Sequence, residues 1–327
     1  MVKPITIRMG GYGPPHTSFS RGLKLIGDTL FARFGDRIKV DYIWNIMDHG
    51  HRAEEILTLV ENGAMTLGYQ SSSYLTDRVP ELGFVDLPFL FEQRDQARAA
   101  IDGELGRYLN RSIEARIDYR ILGWFENGFR HISNRLRAVR TPADLAGMRI
   151  RVLPSEVQAR TFELLDAIPI RCDLTEAIAA IKAGTIDAQE NPFANTVTYG
   201  VHKFHHFHTV TNHFYISRPI FLNRSDFDAW PRDLQDAMRE AVAKAVALQR
   251  ELAIAEDREA RAAIKAAGCE ITALTPEAHV LFREAVDPLL QDARRTYGAD
   301  VFEMVAAAKE AAAEADALDD TASLRGA

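Results

Sequence analysis

Charged and amide side chains set among apolar, strand-like residues are the first features that could do chemistry in this sequence. Arg151 stands in "GMRIRVLPS" (147–155), where Met148, Ile150 and Val152 alternate with Arg149, Arg151 and Leu153 in the period of a half-buried strand. Arg130 stands in "NGFRHISN" (127–134) and Asn191 in "DAQENPF" (187–193), both at the ends of similar segments. A guanidinium offers a fixed fork of N–H donors that matches a carboxylate. An asparagine amide can add a neutral donor to the same group. Arg151 lies near the carboxyl end of its strand, just before Ser155 opens a helix whose amino end also favours anions. In open α/β sheets, ligands sit outside the carboxyl ends of the strands. Arg149 lies further back, where solvent is the simpler partner. Each residue alone also fits a surface arginine or a turn asparagine; the three together suggest a site for a small anion.

Other motifs are less specific. "GGYGPPHTS" (10–18) lies between a strand and a helix, where phosphate-cradling turns occur. Its spacing matches neither common nucleotide fingerprint, and its two prolines remove backbone donors. It reads better as a loop lining a cleft, with His16 near its helix end. The run "VHKFHHFHTVTNHF" places His202 and His206 on one helical face, as two zinc ligands would be, but lacks the accompanying glutamate and paired cysteines. An amphipathic surface helix running into a strand edge is the simpler account. No nucleophile elbow, cysteine with a general base, or framed pair of carboxylates is present.

The elements needed to position these residues follow from the chain's pattern. Segments of strand and helix type alternate from Ile5 to about residue 215, which argues for βαβ units and an α/β fold. Expected strands include 5–9, 37–44, 65–73, "YRILGWFENG", "FRHISN", "RIRVLP", "PIRCDL" and "IDAQENPF". Expected helices include 17–34, 51–63 ending at Gly63, 93–115, one opened by Ser155, and "TEAIAAIKAG" capped by Thr175 and Gly184. A long β-rich stretch at 209–223 precedes a helical zone from Pro231 to Ala267, and further helices fill 276–316 before a frayed tail. At 327 residues, two lobes are expected, and no floppy linker separates them. Lys and Arg number 39 against 46 Asp and Glu, a net charge of −7 that argues against a nucleic-acid face. No apolar run reaches the ~20 residues of a membrane span. Two cysteines, Cys172 and Cys269, are too few for a disulfide scaffold. "MVKPITIRMGG" enters a strand almost at once, as in a cytoplasmic protein or a mature chain whose leader was removed.

The stretches "NGFRHISN", "TPADLAGMRIRVLPS", "AIAAIKAGTIDAQENP" and "VTNHFYISRP", followed by the helix after "WPRDLQDAM", together resemble the solute-binding proteins of TRAP (tripartite ATP-independent periplasmic) transporters, dicarboxylate-binding type. The likeness extends from "RIKVDYIWN" and "GAMTLGYQSSSYL" to the carboxyl-terminal helices. It implies a two-lobed periplasmic-binding-protein fold, its lobes joined by crossing strands and a long helix spanning both. Lobe I would comprise 1–127 plus 216–254, lobe II 128–215 plus 255–300, and 301–327 a terminal helix and tail. The resemblance implies a salt bridge from Arg151 to a ligand carboxylate, with Arg130 and Asn191 assisting. His213 and Phe214 would line the cleft, and first-lobe loops would bring His16 and Gln70. It further implies a periplasmic, monomeric protein without cofactor or metal, which delivers a small organic acid to membrane permease subunits and neither inserts into the membrane nor binds nucleic acid. "GGYGPPHTSFSRG" and "IWNIMDHGH" depart from the family pattern, so the resemblance does not name the acid. The rival readings are an α/β enzyme acting on a carboxylate substrate, with His16 or His213 as acid/base, and a metal-binding protein using the histidine run.

Overall fold

The computed structural model describes residues 3–325. The chain begins with β1 (Ile5–Gly10), α1 (Ser18–Phe34), β2 (Ile38–Ile43), α2 (Ile56–Glu61), β3 (Leu67–Tyr69), α3 (Arg94–Asp102) and α4 (Glu104–Arg116). It crosses to a second lobe on β4 (Tyr119–Asn134) and builds β5 (Arg149–Val152), α5 (Glu156–Leu164), β6 (Ile168–Arg171), α6 (Leu174–Lys182), β7 (Ala188–Asn191) and α7 (Phe193–Thr198). It returns on β8 (Phe207–Asn223) and ends with α8 (Arg224–Asp228), α9 (Arg232–Ala266), β9 (Glu270–Ala273), α10 (Pro276–Tyr297) and α11 (Ala299–Arg325).

All the named strands join one sheet in the order β2-β1-β3-β8-β4-β7-β5-β6, with β9 beside β8. Each lobe contributes a parallel group, β1 with β2 and β3 in one, β5 with β6 and β7 in the other. The antiparallel pair β4 and β8 runs through both. One apolar core gathers Ile7, Leu23, Ile26, Leu67, Phe125, Phe221 and Val242; the other gathers Ile132, Ile150, Val152, Phe162, Ile216 and Phe282. Helix α9 spans the two lobes. Leu234, Met238 and Val242 enter the first core, while Ala260 and Ile264 pack against Phe193 further along.

Several elements differ from the sequence expectation. "YRILGWFENG" and "FRHISN" form one strand, β4, because β8 pairs with it along its whole length. Its register shifts at Glu126/Gly128, where Gly128 adopts φ 88°, and again at Arg130/Ile132, where Asn212 of the partner strand adopts φ 47°. These bulges bend the ribbon between the lobes. The helix expected over 93–115 breaks at Gly103 into α3 and α4. Asp173, not Thr175, caps α6: its carboxylate accepts from Thr175 N at 2.8 Å. The frayed tail expected at the end is helical through Arg325, since no glycine or proline interrupts the alanine-rich run from Ala299; residues 326–327 lie outside the described residues.

The lobes are pinned together by direct bonds. Thr175 Oγ1 accepts from Ala53 N at 3.1 Å, Asp173 accepts from Glu54 N at 3.0 Å, and Arg52 pairs with Glu176 at 3.2 Å. Nearby, Gln158 donates to Ser73 Oγ at 3.0 Å, and Ser73 donates to the fully buried Asp86 at 2.7 Å. Burial pushes the Asp86 carboxyl up to about 6, against 3.8 ordinarily. The folded state therefore takes up a proton that the unfolded chain has lost, and stability falls as pH rises from about 4 through about 6. Asp86→Asn should flatten that part of the Tm–pH curve and raise Tm at neutral pH, removing a penalty of roughly 2–3 kcal/mol. Parallel Tm–pH curves for wild type and variant would show the penalty is absent.

Candidate ligand-binding site

A small cavity lies where the two lobes meet the crossing strands. The second lobe presents the carboxyl ends of its parallel strands: Arg151 and Leu153 at β5, Leu174 beyond β6, and Asn191 at the end of β7. The first lobe does the same with Tyr12 after β1 and with Ser71 and Tyr74 after β3. Arg130 and Arg218 come from β4 and β8, and Asn195 and Tyr199 come from α7 and its end. Both parallel groups thus point their carboxyl ends at one space, the position that open α/β sheets use for ligands.

Arg151 is 2% exposed. Its Nε and Nη2 donate to the Cys172 carbonyl at 3.1 and 2.9 Å, and Nη2 also donates to the Tyr74 hydroxyl at 3.1 Å. Tyr74 is fixed in turn by accepting from Leu174 N at 3.1 Å. These neutral acceptors orient the guanidinium without discharging it, and no described carboxylate forms an ion pair with Arg151. Asn191 accepts from Asn195 Nδ2 at 3.1 Å through its Oδ1, leaving its own amide N–H groups as donors. Arg149 instead pairs with Asp187 at 2.9 Å, and that contact holds the Asp187 carboxyl below its usual range.

Arg130 is in a different electrostatic state. It is 1% exposed, and its Nε and Nη2 clasp the carboxylate of the fully buried Glu190, with Nη2 also donating to the Glu190 carbonyl at 2.7 Å. Burial opposes ionisation of Glu190, but the adjoining guanidinium outweighs it and lowers the carboxyl's pKa. Arg130 therefore borders the cavity as half of a neutral pair.

The structure brings Arg151, Arg130 and Asn191 together as expected, and moves four other candidates away. Phe214 turns into the second core against Phe162. His213 packs on the same two rings, its Nδ1 lies 2.6 Å from Thr211 Oγ1, and burial depresses its pKa. The bulge opposite Arg130 shifts the register here, so these two back the cavity wall rather than form it. Gln70 is fully buried, donating to the Ala53 carbonyl at 2.8 Å and accepting from Ser71 N at 2.8 Å. His16 is exposed and borders a separate surface cavity with Glu256 and Glu259. The histidine run is not a surface helix: His205 and His208 are buried, with burial lowering them to about 3 and about 4. Among the described residues, no three His, Cys, Asp or Glu side chains gather to hold a metal.

Sequence reasoning missed Arg218, Tyr12, Tyr74, Asn195 and Tyr199. Arg218 carried the same signal as Arg151, a charge set within an apolar strand ("FYISRPIF"). Among the described residues lining the cavity, none is His, Asp, Glu, Cys or Lys. Tyr199, pushed up to about 12 by burial, stays neutral. The wall offers donors and positive charge, and no general acid or base of ordinary strength.

Two α/β lobes joined by crossing strands around an arginine-lined cavity have the architecture of a solute-binding protein. The chain belongs to the DctP family, described as bacterial extracellular solute-binding protein, family 7, which its residues 12–296 match. It is 29% identical over 277 residues to a solute-binding protein of Verminephrobacter eiseniae, covering 85% of this chain and 81% of that one. Its fold is similar to that of the sugar acid binding protein DctPAm from Advenella mimigardefordensis in complex with galactonate, with a TM-score of 0.89 and 25% identity over 95% of this chain and 100% of that chain. A TRAP periplasmic solute-binding protein from Sulfurospirillum deleyianum with bound succinate is similar too, with a TM-score of 0.87 and 26% identity over 94% of this chain and 100% of that chain.

Replacing Glu190 by Gln removes the counter-charge of Arg130 while keeping nearly the same shape. Breaking a buried pair from one side costs ~3–5 kcal/mol, so urea denaturation should show a loss of that size. A change below ~1 kcal/mol would mean that Arg130 is neutralised by something else.

Proposed function

We propose that this protein captures a small organic acid between its lobes, through a salt bridge from Arg151 to a ligand carboxylate. The observation that carries this reading is the buried Arg151 guanidinium, held by a backbone carbonyl and a phenol and without a carboxylate partner among the described residues. The donors of Asn191 would bind the same carboxylate, and Arg130, neutralised by Glu190, would flank it. Lobe closure would exclude water and strengthen the pair. The carboxylates bound by similar proteins, galactonate and succinate, support an organic acid as the ligand class.

The family's extracellular assignment and the periplasmic setting of the similar TRAP protein support a periplasmic site of action and delivery to TRAP permease subunits. Among the described residues, no helix is long and apolar enough to cross a membrane. The protein would act as a monomer. Its lobes would divide as 1–127 with 216–254 and 128–215 with 255–300.

Isothermal calorimetry over a panel of dicarboxylates, keto acids, aromatic acids and sugar acids tests this directly. Arg151→Ala and Arg151→Lys should each weaken binding of the best acid at least ~100-fold, the lysine because it lacks the bidentate fork. Normal binding by Arg151→Ala would remove Arg151 from the site. A true ligand at 100 times its Kd should also stabilise the fold by ~2.7 kcal/mol, visible as a rise in Tm.

A further inference from the structure

The lip of the cleft carries a contact that serves both lobes at once. In the sheet, β8 and β4 lie in the middle, β2 ends the first lobe's side and β6 ends the second's. The segments that follow β2 and β6 are therefore far from the crossing strands, where a hinge motion would move the lobes most. They meet here. Ala53 and Glu54 open the helical turn that leads into α2, and residues 173–176 open α6.

The first N–H groups of a helix have no partner within it. Those of Ala53 and Glu54 find theirs in the other lobe: Ala53 N donates to Thr175 Oγ1 at 3.1 Å, and Glu54 N to Asp173 Oδ2 at 3.0 Å. Gln70 holds the same turn from its own lobe, donating to the Ala53 carbonyl at 2.8 Å. Asp173 is 2% exposed, and its Oδ1 accepts from Thr175 N at 2.8 Å, capping its own helix. One buried carboxylate thus serves a donor in each lobe. The Arg52–Glu176 pair beside it is half-exposed on both sides and is a weaker tie. On the inner side, the Cys172 carbonyl accepts from Arg151 Nε and Nη2. That carbonyl and the Asp173 nitrogen share one planar peptide unit, so whatever fixes Asp173 also fixes the acceptor of the guanidinium.

We propose that Asp173 is a positioning residue that latches the lobes at the lip of the cleft and steadies the acceptor of Arg151, and so sets how long a captured anion is held rather than which anion is taken. This rests on the reading that Arg151 holds the ligand. When the lobes part, the carboxylate keeps its bond to Thr175 N, so α6 stays capped and only the Glu54 half is broken. The latch therefore opens without unfolding either helix. Asp173 is not part of the cavity wall, so its effect falls on the lifetime of the complex and not on the choice of ligand.

Asp173→Asn separates the two halves of the contact. Its amide has one oxygen, enough to cap Thr175 N, and turns an NH2 group toward Glu54 N, which needs an acceptor. Thr175→Val removes the other interlobe acceptor and keeps the backbone N–H that Asp173 caps. The probes are succinate, pyruvate, benzoate and galactonate, one from each class of acid named above. Calorimetry on the full chain gives Kd, and stopped-flow tryptophan fluorescence gives the rates. Losing a hydrogen bond to a charged acceptor should speed release by about 10- to 100-fold in Asp173→Asn, and losing a neutral one by about 2- to 10-fold in Thr175→Val. Association should change by less than about twofold, and the ranking of the acids should stay that of wild type. A merely structural role would lower Tm and the fraction of chain able to bind, leaving the release rate of the rest unchanged. An unchanged release rate in Asp173→Asn overturns the proposal, as does a reordering of the acids, which would put Asp173 against the ligand. Should none of the acids bind wild type, the underlying reading of the cavity fails, which is a separate outcome.

Discussion

The cavity is organised around a guanidinium that the protein hydrogen-bonds but does not neutralise. Arg151 reaches only a backbone carbonyl and a phenol, acceptors that fix its plane and leave its charge intact. In an open cleft, water would solvate that charge. In a closed one the same charge is costly unless an anion lies against it, because the interior screens far less than water. On the proposed function, closure and anion binding would be tied to each other. Each state is favourable only with its proper partner, solvent in one case and carboxylate in the other.

The frame that makes this coupling mechanical is the β4–β8 ribbon. Two strands pairing across both lobes give a connection that bends without coming apart, since the backbone bonds of a twisted ribbon tolerate bulges at Gly128 and near Asn212. The same strands carry Arg130 and Arg218 into the cavity, so residues of the hinge itself face the ligand space. Helix α9 lies along both lobes and adds a stiff support to this flexible pair.

Much of this was legible in the sequence, and what failed did so for identifiable reasons. The alternation of strands and helices gave the fold class, and Arg151, Arg130 and Asn191 stood out as polar groups interrupting apolar strands. The partners of those groups were not visible. Nothing local shows that Arg130 meets Glu190 from another strand, so its neutralisation emerged only from strand pairing. Arg218 was passed over although it broke its strand in the same way as Arg151. His213 and Phe214 were placed at the cleft by the family resemblance, which does not show that a bulge in this chain resets which side chains face inward. The α6 cap moved from Thr175 to Asp173 because the threonine hydroxyl is taken up by the opposite lobe, a contact no helix signal encodes.

Tyr74 belongs to the first lobe, yet its hydroxyl holds both Arg151 and the Leu174 N–H of the second. Prising the lobes apart strips that phenol away before the ligand itself is touched. The guanidinium then regains rotational freedom and water at the moment the lobes part. That orientation of Arg151 therefore exists only while the two lobes are together. The contact that orients the guanidinium thus comes from the opposite lobe, through a tyrosine of the cavity wall.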